Sequence, residues 1–211
     1  MKATYTALQP TMYPVYEFYP NSINADQVAD NIKQVLQQYD RANQNSYRIQ
    51  GFYATHSDKF INRSVRLFDD LIDIIEKKSL DISRDNDQYF DNYGIVPRIN
   101  DSWVVSYQKG DSASWHKHSN HDNTCFNAVY YASAEDQTPI VFENHKWSLK
   151  QFNQDINPDN LMNYQRMCNI EIKPRPGMLL LWPGMANHMV PEVTSDKQRL
   201  AFVATLSYVA K

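Results

Sequence analysis

The chain has 211 residues, a formal net charge of −3 and 42% hydrophobic residues, among them fourteen tyrosines, nine phenylalanines and four tryptophans. That supply of apolar side chains suffices for a packed core without disulfide staples. With no basic excess, sequence-independent binding to nucleic acid or to an anionic membrane surface is not the expected main activity, although nucleic acid is not excluded.

The opening Met1-Lys2-Ala3-Thr4-Tyr5 lacks an apolar leader, and no window approaches the length of a membrane span, so a cytoplasmic protein is expected. Cys125 and Cys168 stand apart without a CxxC spacing, as buried thiols in a reducing compartment do. No linker rich in Pro, Gly or Ser interrupts the chain. One domain over residues 1–211 is therefore expected, with a helical N-terminal portion and first strands over 1–98 and a β core over 99–211.

In chain order, Asn24 reads as a helix N-cap, because Gln27 follows three residues later and Ile23 and Val28 can form a hydrophobic staple. Val28, Ile32, Val35, Leu36 and Tyr39 continue at helical spacing. A second helix is predicted from Ser57 or Asp58 to Lys77-Lys78 on the stripe Phe60, Ile61, Val65, Phe68, Ile72 and Ile75, followed by a polar connection over Asp81–Asn92.

From Ser102 the texture changes to short β-branched and aromatic runs: Ser102–Tyr107, Cys125–Ala132, Pro139–Glu143, Asn169–Lys173, Met178–Trp182 and Arg199–Tyr208. Helices first and many strands afterwards predict a mainly β, α+β protein, a sandwich or jelly roll braced by helices on one face. Asn144–Arg166, rich in Asn, Asp and Gln, is expected to be a long loop over one end, where loops often gate a site.

Three of the six histidines fall within Trp115-His116-Lys117-His118-Ser119-Asn120-His121-Asp122. In an extended strand His116 and His118 project from one face, so both imidazoles can reach one ion while Lys117 points away. A further ligand must come from elsewhere, and His188 lies just beyond the apolar strand Met178–Trp182, in what reads as a turn between strands. Two or three imidazoles, with or without a carboxylate, and open positions suit Fe(II) and also accommodate Zn, Mn, Ni or Co. Arg199 opens the last strand, and a cation inside an apolar β core needs an anionic partner; a dicarboxylate would serve. His121 reads as a solvated loop residue, His56 and His145 have no evident partner, and Glu143 reads as a surface carboxylate.

Taken together, Asp101-Ser102-Trp103 through Gly110-Asp111, His116-Lys117-His118, Ala128-Val129-Tyr130-Tyr131, Pro176-Gly177-Met178-Leu179-Leu180-Leu181-Trp182-Pro183, His188 and Gln198-Arg199-Leu200-Ala201-Phe202 resemble the Fe(II)/2-oxoglutarate-dependent dioxygenases, and more narrowly an oxygenase group of bacteria and phages. The likeness spans roughly the last half of the chain. It implies a double-stranded β-helix, His116 and His188 as iron ligands, Arg199 as the clamp on the distal carboxylate of 2-oxoglutarate, Tyr131 as its hydrogen-bonding partner and Tyr107 in the same pocket. The superfamily's HxD is HxH in this chain, which leaves either His118, as in the narrower group, or Asp122 as third ligand. Ala201 stands where a serine is common, removing one hydroxyl contact to the cosubstrate. The activity so implied uses 2-oxoglutarate and O2 as cosubstrates and hydroxylates a substrate that the sequence does not name.

Two other readings make different demands. A cupin shares the double-stranded β-helix, and Gly110 stands six residues before His116, but a cupin has no need of Arg199. A non-catalytic jelly-roll binding module would bind no metal through these histidines.

Overall fold

The computed structural model describes residues 4–6, 14–42, 48–49, 52–54, 68–118, 124–135, 138–143 and 169–211. The elements are β1 (Thr4–Thr6), β2 (Val15–Phe18), α1 (Ala25–Ala42), β3 (Arg48–Ile49), β4 (Phe52–Ala54), α2 (Asp69–Asn86), β5 (Ile95–Tyr107), β6 (Ala113–His116), β7 (Thr124–Ser133), β8 (Ile140–Glu143), β9 (Asn169–Ile172), β10 (Met178–Pro183), β11 (His188–Val190) and β12 (Arg199–Ala210). They form two antiparallel sheets, one of eight strands in the order β1-β2-β10-β7-β12-β5-β4-β3 and one of four in the order β6-β11-β8-β9. From β5 onward the chain passes repeatedly between the two sheets, the winding of a jelly roll, so the expected fold class is correct.

Strand alternation divides the apolar residues of the large sheet between two cores. Trp103, Val105, Val129, Tyr131, Leu180, Trp182, Ala201 and Val203 face the small sheet. Val104, Ala128, Tyr130, Leu179, Leu181 and Phe202 face the helices, meeting Val28 and Ile32 of α1 and Leu71 and Ile75 of α2. The strands at the centre are buried on both faces, which is why they read as continuous apolar runs.

Helix α1 begins as expected, with Asn24 Oδ1 accepting from the backbone N–H groups of Asp26 and Gln27 at 3.0 and 3.2 Å. Helix α2 differs from its prediction at its later boundary, and the earlier part of the predicted stripe, residues 57–67, lies outside the described residues. The helix runs on to Asn86, so the first half of the expected polar connection is helical, followed by a 3-10 turn over Phe90–Tyr93. Ser79 and Ser83 are buried and donate their hydroxyls to the carbonyls of Ile75 and Ser79, four residues back. The side chains thereby satisfy themselves without leaving the helix.

Strand β5 starts at Ile95, seven residues before its predicted edge, despite Pro97. Pro97 pairs with Tyr208 of β12, while β4 meets β5 only at Ser106 and Val105. Among the described residues, Pro97 therefore lies where β5 has one neighbour and no second ladder to disrupt. Asn144–Arg166 lies outside the described residues, as does Cys168. Cys125 is half-buried and donates to the Leu206 carbonyl at 3.3 Å; burial pushes its thiol up to about 12, so it stays protonated. Among the described residues no helix is long and apolar enough to cross a membrane.

Candidate metal centre and cosubstrate pocket

Strand register brings the histidines together. His188 is the first residue of β11 and pairs directly with His116, the last residue of β6. His118 is not in a strand: β6 ends at His116, and His118 occupies the bend that follows. His116 and His118 therefore do not share a strand, contrary to expectation. The bend nevertheless brings the His118 ring within 5.0 Å of His116 and 5.2 Å of His188 between centroids, with His116 and His188 4.3 Å apart. One ligand atom from each of the three lies within 4.8 Å of the other two, close enough for a single ion. The alternative ligand Asp122 and its neighbour His121 lie outside the described residues, as do His56 and His145.

The tautomers of two rings follow from their neighbours. His116 Nδ1 lies 2.7 Å from the Ser114 carbonyl and His188 Nδ1 3.1 Å from the Ala186 carbonyl. A carbonyl oxygen can only accept, so each Nδ1 carries the proton and donates it, leaving the Nε2 lone pair for a metal. Burial lowers the His116 pKa against a smaller opposing effect of the Ser114 hydrogen bond. His188 is 4% exposed, and burial, reinforced by His116 and His118, holds it well below the ordinary 6.5. Both rings are thus neutral at pH 7, the form that coordinates.

The same depression makes stability depend on pH. Between the lowered folded values and 6.5, the unfolded chain binds protons that the folded chain refuses, so stability rises with pH across that window. The melting temperature of the metal-free protein is expected to fall as pH drops below about 6.5, followed by circular dichroism. His188→Leu is expected to flatten that dependence, and an equally steep one would remove His188 as its source.

Aromatic rings support the triad: Trp103 meets His118 at 5.3 Å, and Trp182 and Phe142 meet His188 at 5.1 and 5.9 Å. A cavity of about 390 Å³ reaches from the three histidines to Arg199, between walls that include Trp103, Val105, Val129, Ile140 and Val203. Arg199 is 1% exposed and pairs across the ladder with Tyr107. Its guanidinium carbon lies 5.6 Å from the Tyr107 ring centre and 5.8 Å from that of Tyr131, and one terminal nitrogen donates to the Thr138 carbonyl. The Tyr107 hydroxyl is raised far above its usual range by burial, against the lowering influence of Arg199, and stays a neutral donor. Ala201 also lines the cavity. Tyr107, His116, His118, Tyr131, His188 and Arg199 therefore border one space.

Sequence reasoning missed the pair beside His188. Asn187 Nδ2 donates to Glu143 Oε2 at 2.8 Å, so Glu143 is a half-buried, bonded carboxylate and not a solvated surface one. Strand β11 was also missed, being only three residues long.

Residues 101–204 match the family model of the 2OG-Fe(II) oxygenases. No curated protein matches the sequence. Among solved structures, a prolyl-4-hydroxylase from Pseudomonas putida superposes with a TM-score of 0.57 at 14% identity, covering 92% of this chain and 91% of that one. The non-heme alpha ketoglutarate dependent carbocyclase SnoK from nogalamycin biosynthesis gives 0.61 at 9% identity over 94% and 81%. HygX from Streptomyces hygroscopicus, solved with nickel and 2-oxoglutarate bound, gives 0.57 at 11% over 92% and 82%. At these identities the superpositions speak for the fold, and the family match speaks for the chemistry: the chain belongs to the 2OG-Fe(II) oxygenase family, oxidoreductases that work with Fe(II) and 2-oxoglutarate.

Proposed function

We propose that His116, His118 and His188 hold Fe(II), that Arg199 and Tyr131 bind the distal carboxylate of 2-oxoglutarate with Tyr107 lining the same pocket, and that the enzyme hydroxylates its substrate in the cytoplasm. The observation that carries this reading is the joining of three clustered imidazoles to a buried arginine by one cavity. The residues fit the group. Two lone pairs are fixed by backbone carbonyls, and three ligands leave positions for a bidentate acid and for O2.

When bound, iron and 2-oxoglutarate supply O2 activation coupled to oxidative decarboxylation, which delivers oxygen to a C–H bond. The protein's part is to bind, orient and exclude water. Neutral histidines present lone pairs without a proton to expel. Arg199 supplies a permanently charged planar fork for a carboxylate, in surroundings where little water competes. Tyr131, 2% exposed, sets its ring beside the guanidinium. The apolar walls keep solvent from the reacting centre. The cytoplasmic setting rests on the two isolated cysteines, which lack CxxC spacing.

The test is an anaerobic titration of the protein with Fe(II) and then 2-oxoglutarate. A visible charge-transfer band that saturates with 2-oxoglutarate is the expected result. Iron binding without such a band would favour a cupin-type site, and no iron binding would sink the proposal.

A further inference from the structure

We propose that Glu143 is a positioning residue for the metal centre, acting through Asn187 on His188. The inference rests on the proposed role of His188 as a ligand.

Strands β8 and β11 pair with His188 opposite Phe142 and Met189 opposite Val141. Continuing that register puts Asn187 opposite Glu143, and these two residues are joined twice. The Glu143 N–H donates to the Asn187 carbonyl at 3.0 Å, and Asn187 Nδ2 donates to Glu143 Oε2 at 2.8 Å. Both residues are half-buried, so the charge-assisted side-chain bond is partly shielded from water.

Asn187 is the residue between the His188 ring and the carbonyl that fixes its tautomer, that of Ala186. Clasping Asn187 at both its carbonyl and its side chain fixes the two peptide units that set where the imidazole points. The ladder alone does not do this. Strand β11 has three residues, and its register with β6 shifts between His188 and Val190. On the other side, the turn is tied down by the Ala186 N–H to the Pro183 carbonyl at 3.0 Å and by the Gly184 N–H to the Cys125 carbonyl at 3.2 Å. Glu143 completes the set of anchors on the side facing β8. It is not itself a member of the donor cluster, which among the described residues consists of the three histidines.

Outer partners of metal-bound histidines typically alter metal affinity by about 10- to 100-fold. The experiment measures Co(II) affinity by competition with a chelator, with the visible Co(II) spectrum as a second readout. Glu143→Ala is expected to weaken Co(II) binding at least about tenfold and to shift the spectrum. Glu143→Gln keeps an acceptor oxygen and is expected to stay close to the unsubstituted protein. Asn187→Ala breaks the same bond from the other side, so it should show the same loss and serves as the test if Glu143→Ala folds poorly. The double variant should lose no more than either single one.

Unchanged affinity in Glu143→Ala and Asn187→Ala would overturn the positioning role. Equal weakening in Glu143→Ala and Glu143→Gln would overturn it as well, because charge and not the hydrogen bond would then be responsible. Failure of the unsubstituted protein to bind Co(II) would be a different result, removing the metal centre on which this inference stands.

Discussion

His188→Ala is expected to reduce iron-dependent consumption of 2-oxoglutarate to background. His188 is the most buried of the three imidazoles, and its Nδ1 proton is committed to the Ala186 carbonyl, so its other nitrogen is left with a lone pair for the proposed ion. Replacing it with Ala leaves two donors for a metal that needs three protein ligands to retain a defined open face. The drop in metal affinity should exceed the roughly 10- to 100-fold that losing an outer partner costs. Metal titration and succinate release together check the expectation, with a circular dichroism melt showing that the fold persists. Turnover near that of the unsubstituted protein would remove His188 from the site.

Arg199→Ala is expected to act on the cosubstrate instead. Truncating one partner of a buried, hydrogen-bonded charge pair costs about 2–5 kcal/mol, roughly a 30- to 4,000-fold rise in KM for 2-oxoglutarate. Fe(II) affinity without 2-oxoglutarate should change little, because the guanidinium is not part of the cluster of metal donors. Arg199→Lys should recover only part of the loss, since an ammonium lacks the planar fork and cannot spread over both the Tyr107 and Tyr131 rings. A KM that stays put in Arg199→Ala would leave the carboxylate to be bound elsewhere and would revive the cupin reading.

The chemistry of this chain was more legible in its sequence than its geometry. His116, His118, His188 and Arg199 stand out because imidazoles close in sequence and a cation in an apolar strand call for an explanation whatever the fold. Their meeting in space depends on register, which periodicity does not encode: His116 faces His188 only because β6 and β11 are neighbours in the small sheet. Strand β11 escaped notice because three residues cannot show alternation, and the end of β6 at His116 escaped because nothing in Lys117-His118-Ser119 marks a bend. Helix α2 runs past its expected end because the acidic, amide-rich residues from Asp81 onward read as a connection, whereas Ile82 and Ser83 among them are buried on the helix's packed face. Glu143 and Asn187, 44 residues apart, are an amide and a carboxylate in polar surroundings, and only the β8–β11 pairing gives them a joint role.

Strand β6 lies at the edge of the small sheet and is joined to it through β11 alone among the described residues. Its last residue and the bend after it supply two of the three imidazoles, while the third comes from β11. An ion held by all three is then a cross-link as well as a reagent, fastening an outer strand to its neighbour by bonds that no backbone ladder of this length could match. Metal binding adds to folding stability through linkage. If the proposed site holds iron, this outer strand gains a second attachment from it, and loss of the ion is expected to loosen this edge before it disturbs the large sheet.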